Sequence, residues 1–132
     1  MNPYRFKLAL RAWHPRLSAA QVCKILGLRS RFAQSVGEQR TTPKGRPLLG
    51  TNVATFCTFP LAQGSSSALL GAIQKSNQRL KLRETHKITR TGGELEYFLG
   101  IFLKGNGGIE FDVELSKELA RLKIRLALDI YP

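Results

Sequence analysis

Four side chains in this sequence belong to the types that hold a metal ion or build a nucleophile: His14, Cys23, Cys57 and His86. None stands near another. A metal site needs three or four converging ligands, as a rule with short local spacings. The two cysteines lie 34 residues apart, so the pattern points to surface histidines and reduced, buried thiols instead. A nucleophilic pair can still assemble from distant positions, as Cys57 with His86 or Cys23 with His14. Neither cysteine falls where a loop, an exposed turn or a helix N-terminus would depress its pKa, which argues against that chemistry. Glu94, Glu96, Glu110 and Glu114 could serve as acids and bases, but nothing in their spacing brings two together in an apolar pocket. Gly105, Gly107 and Gly108 precede a helix without the Lys-Ser/Thr of a phosphate loop or the spacing of a dinucleotide fingerprint. Asp112 and Glu114 would also repel a phosphate there. No catalytic residue, metal or cofactor is expected.

The charge is more informative. Residues 1–83 hold fourteen Lys or Arg and one acid, Glu38, whereas residues 84–132 hold seven Lys or Arg and eight acids. The formal net charge of +12 therefore belongs to the first two thirds of the chain. A block that basic suits a polyanion, an acidic protein surface or simply a solvated face.

These residues must be positioned by elements that the hydrophobic pattern marks out. The clearest is Asp112 to Tyr131, a helix running straight into a strand. Leu115, Leu119 and Leu122 recur at helical spacing behind Asp112 as the cap, and Ile124, Leu126, Leu128 and Ile130 then alternate with Arg125, Ala127, Asp129 and Tyr131. Tyr4 to Trp13 alternates in the same way, with Arg5, Lys7 and Arg11 in its outer row. Ser18 and Gln21 form a capping box for a helix over 19–26, which Gly27 should stop in a Schellman ending with Leu28 folding back. Residues 29–50 show no sustained period and read as a long basic loop. Thr51 to Phe59 reads as a strand with Val53, Thr55, Cys57 and Phe59 on one face, ended by Pro60. Ser65, Ser66 or Ser67 should cap a helix with Leu69, Leu70 and Ile73 inward and a break near Ser76-Asn77. Residues 79–91 read as a further helical piece, and Glu94 to Lys104 as an interior strand, apolar on both faces.

With 132 residues and 42% hydrophobic composition, these elements fit one domain over residues 1–132. The simplest arrangement is a two-layer α/β (α+β) sandwich, a four-stranded sheet with helices on one face, of which the split βαβ of ferredoxin-like proteins is one form. No apolar run is long enough to span a bilayer. The start lacks the apolar core of a secretory signal, so a cytoplasmic protein is expected.

The segment Leu17-Ser18-Ala19-Ala20-Gln21-Val22 leading to Ile25-Leu26-Gly27-Leu28, then Gly37-Glu38, and then Phe111-Asp112-Val113-Glu114-Leu115 through Leu126-Ala127-Leu128-Asp129-Ile130-Tyr131 resembles the bacterial family catalogued as domain of unknown function 4279. The likeness spans most of the chain in order. Where that family tends to carry a tryptophan in the second strand, this chain has Phe56, and its one tryptophan is Trp13. The resemblance implies a small, cytoplasmic bacterial protein and carries over no functional residue.

Two functional expectations follow, and neither is an enzyme. In the first, the chain is a non-catalytic interaction module whose basic loop, through Arg29, Arg31, Arg40, Lys44 and Arg46, docks an acidic protein partner. In the second, RNA or single-stranded DNA lies on the open sheet face. If the first and last strands are neighbours, Arg5, Lys7, Arg11 and Arg125 share that face with Trp13 and Tyr131 at its margins. The central strands are expected to add only aliphatic or small residues there, which weakens the second expectation.

Overall fold

A computed structural model describes residues 3–132. Its framework is a five-stranded sheet that alternation of apolar and polar residues builds almost throughout. Strand β1 (Tyr4–His14) lies at the centre, antiparallel to β5 (Thr55–Ser65) on one side and to β6 (Glu94–Leu103) on the other. Beyond β5 lies the short β2 (Phe32–Gln34), and beyond β6 lies β7 (Ile124–Tyr131), parallel to it. The order is β2-β5-β1-β6-β7. The two-layer α/β sandwich is therefore the fold, with five strands in the sheet where four are expected. The ferredoxin-like split βαβ does not form, because β6 and β7, joined by a crossover helix, lie side by side with no strand inserted between them.

The fifth strand and a separate two-stranded hairpin, β3 (Gln39–Thr41) with β4 (Pro47–Thr51), come from the stretch expected to be a structureless loop. Both sides of the hairpin are exposed, so no apolar period could announce it. Strand β5 also runs past Pro60. At that point Leu8 pairs with Ala62 and Ala9 with Pro60, leaving Leu61 as the extra residue of a bulge, and β2 has already ended opposite Thr58. A proline is tolerated where a ladder bond on one side is already missing. Val53, expected to share a strand face with Thr55, Cys57 and Phe59, is 94% exposed because it belongs to the bend before the strand begins.

All helices cover one face. Helix α1 (Ala19–Leu26) starts with the anticipated reciprocal capping box between Ser18 and Gln21. It ends at Gly27, whose φ of 65° lets its N–H and that of Leu28 close on Cys23 O. A single 3-10 turn (Ser66–Ala68) leads into α2 (Leu69–Arg79), with no serine side chain bonding the helix start. Leu69 and Ile73 are buried, but Leu70 points outward, and the helix continues through Ser76 and Asn77. The expected break is absent, and both polar residues bond in place within the helix: Ser76 Oγ donates to Ala72 O, and Asn77 Oδ1 accepts from Tyr97 Oη at 2.6 Å inside the core, while Asn77 Nδ2 has no partner among the described residues. Helix α3 (Leu82–Thr89) follows, and α4 (Val113–Leu122) is capped by Asp112, which accepts from Leu115 N. Between these helices and the sheet lies one core in which Phe6, Leu8, Leu10, Phe59, Tyr97, Leu99 and Ile101 meet Val22, Ile73, Ile88, Leu119 and Leu122. The close approach of α3 to the start of β6 requires Gly93, since a Cβ there would stand 2.7 Å from Ile88 O and Cγ2.

Candidate functional site

The alternation that buries Tyr4, Phe6, Leu8, Leu10 and Ala12 turns Arg5, Lys7, Arg11 and Trp13 to the uncovered side of the sheet. The same parity in β6 and β7 places Glu94, Glu96, Phe98 and Phe102 beside Arg125, Asp129 and Tyr131. Strands β5 and β2 add Phe56 and Phe32. Strands β1 and β7 are not neighbours, because β6 lies between them, but Arg5, Lys7, Arg11 and Arg125 share one face all the same. The expectation that central strands leave this face aliphatic or small is wrong. Six aromatic rings stand on it, two of them, Phe98 and Phe102, from β6 itself.

The rings and cations form two bands about 20 Å apart, the length of six strand residues from Lys7 to Trp13. In the first band Phe32, Phe56 and Trp13 adjoin one another, with ring centroids 6.1 and 5.2 Å apart, and the Arg125 guanidinium lies 5.6 Å from the Trp13 ring. In the second, Phe102 and Tyr131 stack at 5.0 Å with planes 12° apart, and Lys7 Nζ sits 5.9 Å from the Phe102 ring. Between the bands Arg11 lies 3.6 Å over Phe98. Such contacts hold a cation against a ring without removing its charge.

Carboxylates temper the field. Arg11 pairs with Glu96 at 3.7 Å, and Arg125 with Glu94 at 3.2 Å and Glu96 at 3.8 Å. Arg5 and Lys7 have no ion pair among the described residues, and neither has any of Arg29, Arg31, Arg40, Lys44 and Arg46. Those five do not act as one cluster. Arg29 and Arg31 flank the entry to β2, while Lys44 and Arg46 sit at the tip of the hairpin, where Thr42 accepts from Arg46 N and Gly45 carries the turn. Arg40 is different. Its Nη1 donates to Leu49 O, and it lines a groove of about 670 Å³ with Trp13, Gln34, Asn52 and Phe56. The hairpin thus forms one wall of a groove whose other wall is the aromatic end of the sheet.

The hairpin is anchored by polar bonds. Asn52 N donates to Glu38 O, Asn52 Nδ2 to Ser35 O, and Val36 N to Thr55 Oγ1, which in turn donates to Leu17 O. Gln34, Phe56 and the hairpin were missed as site residues, and only the pairing across strands brings them together.

No family model, curated protein or solved structure matches the chain. Function must come from its own groups.

The candidate nucleophiles have other tasks. Cys57 is fully buried beneath α1, and its thiol is pushed up to about 12, first by burial and then by the adjacent Cys23 thiol. His14 is also buried. Its Nδ1 accepts from Arg16 N at 3.0 Å and Leu17 N at 2.9 Å, so the ring proton sits on Nε2 and is donated to Thr91 Oγ1 at 2.7 Å. His86 Nε2 bonds Arg121 O. Both histidines therefore join elements, and among the described residues neither bonds a thiol. Among the described residues no helix is long and apolar enough to cross a membrane.

Proposed function

We propose that this protein binds single-stranded RNA or DNA across the open face of its sheet. The observation that carries the proposal is the interleaving of aromatic rings and basic groups there: Phe32, Phe56 and Trp13 beside Arg40 and Arg125 at one end, Phe102 and Tyr131 beside Arg5 and Lys7 at the other. Unpaired bases stack on such rings at about 1–3 kcal/mol per base, while cations follow the phosphates. A duplex has no free base faces to offer, so single strands are preferred. The three carboxylates on the face limit the electrostatic share, leaving stacking as the larger contribution. The resemblance noted from sequence brings no functional residue, and the proposal stands on this chain's geometry alone.

A second reading keeps the acidic protein partner. It is favoured by the five loop cations, none of which has an ion pair among the described residues, with Lys44 and Arg46 at the exposed tip of the hairpin and Arg29 and Arg31 before β2. Electrostatic steering would make such an encounter fast and salt-sensitive. Serine at Arg29, Arg31, Arg40, Lys44 and Arg46 together would abolish that capture.

Trp13 is the one tryptophan, so its fluorescence reports directly on the site. Titration with a mixed-sequence single-stranded RNA at low salt should quench it, and the log of the association constant should fall linearly with log salt. Trp13→Ala, followed by oligonucleotide anisotropy, should weaken binding by about 5–150-fold, the equivalent of about 1–3 kcal/mol of stacking. Serine at Arg5 and Lys7 should flatten the salt slope. An unchanged Trp13 signal with no anisotropy change at low salt refutes the proposal.

A further inference from the structure

Strand β7 is one edge of the sheet, and among the described residues no element pairs with its outer side. The opposite edge, β2, is only three residues long, whereas β7 offers eight residues without proline, glycine or bulge. A long regular edge is a template for another strand unless it is blunted by charge, kink or cover. Here the cover fails part-way. On the helix side Ile124 is buried under α4 and Leu126 is half-buried, but Leu128 and Ile130 are 45% and 57% exposed.

The segment Ile124-Arg125-Leu126-Ala127-Leu128-Asp129-Ile130 is symmetric about Ala127, except that an arginine on one side is answered by an aspartate on the other. An antiparallel partner reads a strand backwards, so this segment is complementary to a second copy of itself. We propose that two copies of this chain associate through β7, antiparallel about a two-fold axis at Ala127, joining their sheets into one of ten strands. In that register Ile124 faces Ile130, Leu126 faces Leu128 and Arg125 faces Asp129, each pair occurring twice. Opposite charges directly across a ladder attract, and the facing aliphatic side chains remove one another from water. Moving the axis to Leu126 or Leu128 sets Arg125 opposite Ala127 or Tyr131 and forfeits the charge match.

The charge distribution agrees with this edge. Two chains of net charge +12 repel, but residues 84–132, which contain β7, hold seven Lys or Arg against eight acids. The balanced third meets its copy while the basic regions stay apart. An axis normal to the sheet leaves both open faces on the same side. The pairing does not depend on what those faces bind.

Sedimentation equilibrium of the full chain at tens of micromolar tests the proposal. A dimer is expected, dissociating on dilution. Asp129→Arg sets like charges opposite in both places and should raise the dimer dissociation constant at least tenfold with an unchanged circular dichroism spectrum. Directly opposite residues lie within disulfide reach, with Cα atoms about 4.5–5.5 Å apart. Ala127→Cys should therefore form an interchain disulfide on oxidation with diamide. Arg125→Cys, which faces Asp129, should not, and the wild-type protein serves as the control for Cys23 and Cys57. A monomer at every concentration overturns the proposal, as does a dimer that neither weakens with Asp129→Arg nor crosslinks through Ala127→Cys.

Discussion

Replacing His14 separates a structural role from a chemical one. His14 is 1% exposed and joins three segments: the end of β1, the turn before α1 through Arg16 N and Leu17 N, and the α3–β6 connection through Thr91. His14→Ala removes three hydrogen bonds, at about 1 kcal/mol each, and leaves two backbone donors short of an acceptor. The expected loss is about 3–4 kcal/mol once the missing ring is included. For a chain of this size that lowers Tm by about 10–15 °C. His14→Asn is the informative partner, because its Oδ1 stands where Nδ1 stood and restores the acceptor for Arg16 and Leu17. It forfeits the Thr91 bond, and the loss should shrink to about 1–2 kcal/mol.

The same pair of variants predicts a pH dependence. Burial, and secondarily the nearby Arg16 charge, hold the His14 pKa below its ordinary value of 6.5. Between the folded value and 6.5 the unfolded chain binds more protons, so stability rises with pH. The contribution is complete above about pH 6.5 and is lost as pH falls through the folded value. Urea unfolding from pH 5 to 7.5 should show this slope in the wild type and a flatter one in His14→Asn, with His86 present in both. Equal slopes, or His14→Ala as stable as His14→Asn, would refute the reasoning.

Two further substitutions probe the buried polar groups. Tyr97→Phe leaves the Asn77 side chain, whose Nδ2 already has no partner, without its hydrogen bond in the core, so the urea midpoint should fall by the equivalent of about 1–3 kcal/mol. Adding Asn77→Leu should recover part of that loss, because the orphaned amide disappears with its partner. Cys57, held protonated by burial, should resist a thiol reagent at neutral pH; no more than one thiol per chain should titrate in the native protein and two in denaturant, and rapid modification of both native thiols would contradict its placement in the core.

Local chemistry determined much of this protein from the sequence alone. The capping box at Ser18, the glycine stop at Gly27, the Asp112 cap and the change from helical to strand period after Leu122 each depend on neighbours a few residues away, and each stands as read. Alternation alone assigned Arg5, Lys7, Arg11 and Arg125 to outward rows. What it could not give was which strands lie together. Strand order and register are tertiary quantities, set by pairing between segments far apart in the chain. That pairing put β6 between β1 and β7, and the covering of the opposite face by the helices left Phe98 and Phe102 on the open one. It also joined Phe56 to Trp13, which are 43 positions apart in the chain. Strands β2, β3 and β4 escaped notice because they bury almost nothing and owe their form to polar bonds from Asn52, Thr55 and Ser35. The sequence named the cations; only tertiary pairing supplied the rings beside them.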